Sequence, residues 1–252
     1  MRAEAEGKRG HAASVPDETP RLTVIVPTLR DDGSLSQLLP ALYRLDPPPQ
    51  RVIVADGSPS EHTAALCRRH GVHWLSSPSG RGRQLSAGVS AARADSIEGA
   101  TGEVLWFLHA DSRPHPRAGS AIGAAVRRGA AGGYFRFRFG GPASVVKSFL
   151  ERSIALRCRF GMVYGDQGIF VTRTAYEAGP GFAAQPLFEE VPLVQYLKRT
   201  GRFVPLDLPI TVDPRRWERD GYVRCTLHNR LLALGHLAGV PPDRLSHWYH
   251  AR

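Results

Sequence analysis

The stretch Glu103-Val104-Leu105-Trp106-Phe107-Leu108-His109-Ala110-Asp111-Ser112 is a short apolar run that ends in two polar residues one apart. A continuous apolar run bounded by turn formers predicts a strand covered on both faces, as in a parallel sheet with helices on each side. Such sheets bind ligands beyond the carboxyl ends of their strands. His109 and Asp111 fall at that edge, with Ala110 turned the other way. A carboxylate and an imidazole there suit a divalent cation, and a cation suits a diphosphate. Read locally, Asp111 is also a strand-ending residue that caps the next helix, which is the commoner use. The remainder of the chain has to decide.

Upstream, Leu22-Thr23-Val24-Ile25-Val26 is a buried strand stopped by Pro27-Thr28. Leu35, Leu38, Leu39, Leu42 and Leu45 then recur at helical spacing, with Ser34 as the expected N-cap and Pro47-Pro48-Pro49 as the stop. Arg51-Val52-Ile53-Val54-Ala55 is a second strand ending in Asp56-Gly57-Ser58. A helix to about His70 and a short strand over Val72–Leu75 follow. This alternation predicts a right-handed, doubly wound parallel sheet. Thr28, Asp56 and Asp111 all fall just past strand ends, a convergence that packing alone does not explain. It favours a nucleotide site.

Gly80-Arg81-Gly82-Arg83-Gln84-Leu85-Ser86-Ala87-Gly88 opens a small-residue helix reaching about Arg93. Glycines admit a close backbone, and a helix N-terminus favours an anion. The stretch lacks the GxxxxGK[ST] pattern, so it is no P-loop. Residues 94–101 read as a loop.

Downstream of Asp111, a helix is expected over about Arg117–Arg128. Gly132-Gly133-Tyr134-Phe135-Arg136-Phe137-Arg138-Phe139 alternates with period two, a half-exposed strand that marks a change to a mixed sheet. A helical stretch from about Ala143 to Arg157 precedes Tyr164-Gly165-Asp166-Gln167-Gly168, an acid between glycines that leads into another strand. A helix is expected from about Leu187 to Arg199, with Glu189 and Glu190 as simple caps in its first turn. Leu206–Val212 is extended, and Arg215-Arg216-Trp217-Glu218 follows it. The last helix, about Gly221 to Ala238, carries Val223, Leu227, Leu231, Leu232 and Leu234. It can pack on the domain or lie on a membrane, and packing is the more frequent outcome.

Composition sets the partners. The chain has 252 residues, a formal net charge of +10 and only three lysines, Lys8, Lys147 and Lys198, so arginine carries the charge. Arginine suits phosphates, which admits nucleotides, nucleic acid or an anionic membrane surface. No zinc-finger, RNP or basic-zipper pattern is present, so a nucleic-acid partner is not expected. Cys67, Cys158 and Cys225 are odd in number and far apart, which fits a reducing compartment. No signal peptide and no apolar run of the ~20 residues needed to span a bilayer is visible, so the expected location is cytoplasmic. Residues 1–20 are expected as a mobile leader and 21–252 as one domain, with a donor half to about 112 and an acceptor half beyond.

With these residues placed, the chain resembles the GT-A-fold glycosyltransferases of family 2. The motifs that carry the likeness are Val24–Thr28, Val54-Ala55-Asp56-Gly57-Ser58, Gly80–Gly88, Phe107-Leu108-His109-Ala110-Asp111, Gly165-Asp166-Gln167, Phe188-Glu189-Glu190 and Arg215-Arg216-Trp217-Glu218. It looks closest to a bacterial subgroup with LHAD, GDQ and RRWE motifs that is associated with arsenosugar biosynthesis genes.

The resemblance implies an α/β fold with a mostly parallel, Rossmann-like donor half and a mixed-sheet acceptor half. It implies a UDP-sugar donor, a small-molecule or lipid acceptor, and Mn²⁺ or Mg²⁺. Pro27, Thr28 and Asp56 would line the nucleoside pocket, and Arg81 or Arg83 would reach the base or diphosphate. Asp111 would bind the cation, with His109 a second candidate ligand. Gly165, Asp166 and Gln167 would lie on the sugar and acceptor side, beside Glu189. Glu190 would be the general base, and Arg216 and Trp217 would sit near the diphosphate and acceptor. Three positions depart from the family pattern: His109 replaces the first DxD acid, Glu190 stands where Asp is commoner, and Asp213 holds a Gln/Arg position. Two other readings stay open, a polyprenyl-phosphate transferase at a membrane surface and a non-catalytic nucleotide-sugar binder. The sugar, the acceptor and the oligomeric state stay open as well.

Overall fold

A computed structural model describes residues 20–94 and 102–250. The expected leader up to residue 19, and the expected loop beyond Ala94, lie outside the described residues. The donor half runs β1 (Arg21–Thr28), α1 (Asp32–Tyr43), β2 (Arg51–Asp56), α2 (Glu61–Arg69), β3 (His73–Ser76), α3 (Arg81–Ala94) and β4 (Glu103–Phe107). Then come β5 (Ser112–Pro114), α4 (Ala118–Arg127), β6 (Gly132–Phe139), α5 (Val145–Arg159), a 3₁₀ turn (Gly165–Gln167), β7 (Phe170–Thr172), α6 (Arg173–Ala178), α7 (Val191–Arg199) and β8 (Phe203–Val212). Three helices close the described chain: α8 (Arg215–Asp220), α9 (Tyr222–Leu237) and α10 (Pro242–His250).

The strands form one eight-stranded sheet in the order β3-β2-β1-β4-β7-β6-β8-β5. The first four are mutually parallel, and β7 then runs antiparallel to both β4 and β6. The change from a parallel to a mixed sheet therefore falls beside the apolar run that ends in His109-Ala110-Asp111.

Alternation along β1, β2 and β4 builds the core on both faces. Val24, Val26, Val54 and Trp106 point to one side, against Leu35, Leu38, Leu39 and Leu42 of α1 and Ile122 of α4. Ile25, Ile53, Leu105 and Phe107 point to the other, against Leu85 and Val89 of α3 and Leu193 and Leu197 of α7. Helix α3 lies close on the sheet because Gly88 has no side chain; a Cβ there would stand 2.5 Å from Ile25 Cγ2. At the start of β4 the buried Glu103 is paired at 2.6 Å with Arg173 and accepts from the Thr23 hydroxyl at 2.7 Å, so its charge is matched where it is desolvated.

Strand β6 has the expected wet face, with Phe135, Phe137 and Phe139 buried and Arg136 and Arg138 exposed. Several expectations need correction. Helix α1 begins at Asp32 after Asp31, which leaves Ser34 inside its first turn and buried. Helix α7 begins at Val191, so Glu189 and Glu190 precede it, and the Glu190 side chain makes no capping bond. Strand β5 and helices α6 and α10 are not expected from the sequence pattern. In α9 only Cys225 and Leu232 are buried, while Val223, Leu227, Leu231, Leu234 and Leu237 are exposed. The helix packs through these two and through half-buried residues such as Tyr222, against Phe139, and His236, while its leucine-rich side faces outward.

Candidate active site

A cleft of about 600 Å³ opens beyond the carboxyl ends of β4 and β8. It collects residues far apart in sequence: Arg81 from α3, His109 and Asp111 after β4, Tyr164, Gly165 and Asp166 from the 3₁₀ turn, Phe188, Glu189 and Glu190 before α7, Asp213, Arg215, Arg216 and Trp217 around α8, and Tyr249 of α10.

At the ends of β1 and β2, Thr28 and Asp56 are paired in register and both buried. Asp56 Oδ1 accepts from the Ser58 amide at 2.9 Å, and Oδ2 from the Trp74 indole at 3.4 Å. Thr28 Oγ1 is buried without a protein partner. Gln84, buried in α3, donates from Nε2 to the Thr28 carbonyl at 2.7 Å and to the Ala55 carbonyl at 2.9 Å, tying the two strand ends together. Gln84 carries no signal of this role in the sequence, since a glutamine inside a glycine-arginine stretch looks like surface. Of the two arginines in that stretch, Arg81 enters the cleft, whereas Arg83 is exposed on α3 and does not line it.

Arg81 sits 3.3 Å from Glu189 with 43% of its side chain exposed. Burial works against its charge, but the carboxylates of Glu189 and Glu190 outweigh burial and hold its pKa above the ordinary value. Beside it, burial and then the positive Arg81 push the His109 imidazole down to about 3, so the ring is neutral. His109 Nε2 is buried without a partner against Gly165, where a Cβ would come within 3.0 Å of it. Burial, then Asp31, raises the pKa of Asp111, and Arg215 partly offsets them. Arg215 pairs with Asp31 at 2.6 Å, which links α8 to the start of α1.

Glu190 is a strongly perturbed carboxyl that lines the cleft. Burial first, and then the neighbouring Glu189, raise it to about 8. Its Oε1 accepts from the Gly165 amide at 3.1 Å. The residue two before it, Phe188, holds φ at +61°, a left-handed conformation that costs a non-glycine residue energy and that clusters at working sites. Phe188 stacks on His236 with ring centroids 4.4 Å apart, which helps hold that backbone.

In the 3₁₀ turn, Asp166 lines the cleft with Oδ1 buried and unpartnered, its pKa raised by burial against the pull of Arg157 and Arg81. Gln167 faces inward instead. It is 1% exposed, donates to the Phe135 carbonyl at 3.3 Å and lies 3.2 Å from Cys158 Sγ, so it braces the turn and does not line the cleft. Arg157 stacks over the Tyr164 ring at 4.2 Å, and Arg216 stacks over Tyr249 at 4.5 Å and bonds its hydroxyl. Trp217 meets Phe139 edge-on at 5.2 Å. Arg157, Tyr164 and Tyr249 had no sequence signal, because each gains meaning only through a residue distant in the chain.

A divalent cation can be tested against these side chains. Among the described residues no three His, Cys, Asp or Glu side chains converge as a ligand cluster. Of the carboxylates that line the cleft, Asp111 is the one at the end of β4, with a neutral imidazole two residues away, a donor set that fits a cation completing its shell with phosphate oxygens and water. His109 Nε2 faces Gly165, which makes Asp111 the stronger of the two candidates.

Sheet order and cleft position define a class, the GT-A glycosyltransferases. Solved structures of that class are similar to this chain. Glucosyl-3-phosphoglycerate synthase from Mycobacterium tuberculosis, solved with Mn²⁺, UDP and glucosyl-3-phosphoglycerate, is 18% identical with a TM-score of 0.55, over 76% of this chain and 71% of that one. Mannosyltransferase PcManGT from Pyrobaculum calidifontis, solved with GDP-Man and Mn²⁺, is 19% identical with a TM-score of 0.56, over 77% of this chain and 57% of that one. TarS from S. aureus is 16% identical with a TM-score of 0.57, over 77% and 37%. At such identities the likeness is one of fold. No curated protein matches the sequence. The chain matches Glycosyl transferase family 2 over residues 23–161, more than half its length, and it belongs to that family.

Proposed function

We propose that the protein is an inverting, cation-assisted glycosyltransferase that moves a hexose from a UDP-sugar to a hydroxyl of a small-molecule or lipid acceptor. The observation that carries this reading is Glu190, a buried carboxyl in the cleft whose pKa of about 8 suits a general base near neutral pH. Glu190 takes the acceptor's proton as the acceptor oxygen bonds to the anomeric carbon, and the bond from that carbon to the diphosphate breaks in line. Arg81 and Arg216 face the charge that develops on the leaving diphosphate. A bound cation would neutralise that diphosphate, and Asp111 would hold it, with His109 at its side. Thr28 and Asp56, joined by Gln84, form the floor for the nucleoside, with Pro27 before them in β1. Asp166 and Trp217 face the acceptor side, and Glu189 sets Arg81.

Neighbours of the same fold solved with UDP or GDP-Man and Mn²⁺ support a nucleotide-sugar donor and a divalent cation. The LHAD, GDQ and RRWE likeness is to the arsenosugar-associated subgroup, and it names neither the sugar nor the acceptor. Three buried cysteines that stand as thiols agree with a reducing, cytoplasmic setting.

The test is a thermal-shift screen of nucleotide sugars with and without Mn²⁺, followed by transfer assays. UDP-sugars should raise the melting temperature most when Mn²⁺ is present. If Asp111→Asn and Glu190→Gln both kept full transfer activity, the mechanism would be wrong.

A further inference from the structure

Thirteen large apolar side chains are exposed among the described residues, and ten of them lie on α5 with its C-cap Phe160 and on α9. Val145, Phe149, Leu156 and Phe160 recur at helical spacing on the first helix, and Val223, Leu227, Leu231 and Leu234 on the second. Contiguous apolar surface of this kind on a soluble fold marks a docking site. Between the helices runs a groove of about 400 Å³ whose apolar walls include Ile154, Leu156, Phe160, Ala233, Leu234 and Leu237. The groove is continuous with the catalytic cleft: Arg157, Asp166, Trp217 and Asn229 line both.

From this we infer that the acceptor is a membrane lipid. Its hydrocarbon tail leaves the cleft along the α5/α9 groove, while the exposed faces of the two helices rest in the surface of an anionic bilayer. The inference depends on the cleft being a glycosyl-transfer site. No helix among the described residues is long and apolar enough to cross a membrane, so contact is at the interface.

Charge selects this occupant. Arg152, Arg159, Arg224 and Arg230 are exposed on the two helices, and α9 contains no acidic residue. Glu151, the one acid of α5, accepts from the Phe139 amide at 2.8 Å, which commits it to the fold. An apolar stripe flanked by arginine is the pattern of a helix lying on anionic lipid. A second copy of the chain would set those arginines against their equivalents with no acid on α9 to pair them. Residues 1–19 contain no leucine, isoleucine or aromatic residue to fill the groove.

The experiment is flotation of the full chain with vesicles of phosphatidylcholine alone or mixed with phosphatidylglycerol. Binding of dansyl-undecanoic acid reports the groove, and calorimetry with UDP and Mn²⁺ reports the cleft. Wild type should float at least tenfold better with the anionic vesicles. L227Q/L231Q, both on the exposed face, should lose that flotation. Ala233→Trp, which fills the groove, should lose the dansyl probe and still float, and all three proteins should bind UDP alike. The lipid inference is overturned if wild type binds UDP yet neither floats nor takes the probe. It is overturned equally if wild type is a dimer that L227Q/L231Q makes monomeric. Failure of wild type to bind UDP would instead remove the transferase reading on which the inference rests.

Discussion

Gly165 donates its amide to Glu190 Oε1 at 3.1 Å, joining a 3₁₀ turn to the end of a loop 25 residues further on. Two motifs separate in the sequence therefore form one unit in the cleft. The turn fixes the carboxylate, and Gly165, lacking a side chain, also leaves room for His109. A general base has to be held in this way, because proton transfer depends on position before it depends on pKa.

The first prediction is kinetic. Replacing Glu190 with Gln keeps the shape and removes the base, so transfer should fall by roughly 10²–10⁴-fold while UDP binding holds. Because Glu190 acts ionised and its pKa is about 8, kcat/KM should climb with pH and level off near that value. A pH–rate profile that is flat between pH 6 and about 9 would remove Glu190 from the role.

The same group makes a stability prediction. A carboxyl whose pKa is raised on folding is protonated in the folded state while its unfolded counterpart is ionised. Between the ordinary glutamate value of 4.5 and about 8 the folded state holds the extra proton, so the unliganded protein loses stability as pH rises through that window. Thermal melts should show the decline in wild type and a shallower one in Glu190→Gln.

Cation dependence separates Asp111 from His109. Asp111→Asn should weaken UDP binding at least tenfold in Mn²⁺ and change it little in chelator, since only the cation-mediated part is lost. His109→Ala should have the smaller effect, because Nε2 is turned toward Gly165. Calorimetry in Mn²⁺ and in EDTA checks both, and equal losses in the two media would remove Asp111 as a ligand.

Much of the donor half was legible because its signals are local. Leu22–Val26, Val52–Ala55 and Val104–Leu108 are apolar runs that can only be covered strands, and they place Thr28, Asp56 and Asp111 on one edge without further information. The acceptor half was less so, since its elements depend on distant partners. Strand β5 is three residues long and exists through pairing with β8 a hundred residues later. Glu189 and Glu190 looked like caps because the strained Phe188 that turns them into the cleft has no sequence signature. The leucines of α9 read as a packing face, and periodicity cannot tell a face turned toward protein from one turned outward.

Gln84 offers a test of the strand-end clamp. Gln84→Ala removes a donor from the Ala55 carbonyl and from the Thr28 carbonyl, which keeps the Gly57 amide at 2.9 Å, and this should cost about 1–3 kcal/mol in urea unfolding. The ends of β1 and β2 would also lose the tie that sets their spacing, so UDP affinity should drop along with stability. Unchanged affinity in a destabilised Gln84→Ala would separate the clamp from the nucleoside site.

Gly82 isolates geometry from chemistry. A Cβ at this position would stand 2.0 Å from the Ala183 carbonyl oxygen and 3.1 Å from Glu189 Cβ, and a backbone atom cannot move aside as a side-chain tip can. Gly82→Ala must therefore shift the start of α3 away from the loop that carries Glu189, at about 1–3 kcal/mol of overpacking cost. That shift opens the 3.3 Å contact between Arg81 and Glu189, and transfer should fall further than the loss of stability explains. Gly33 in α1 is the control, with nothing within 4 Å of its Cβ position. Gly33→Ala should leave activity alone and stabilise by up to about 1 kcal/mol, as alanine does inside a helix. Parallel melts and rate measurements on the two variants decide the matter: if both behave like Gly33→Ala, the close approach of α3 to that loop plays no part in setting Arg81.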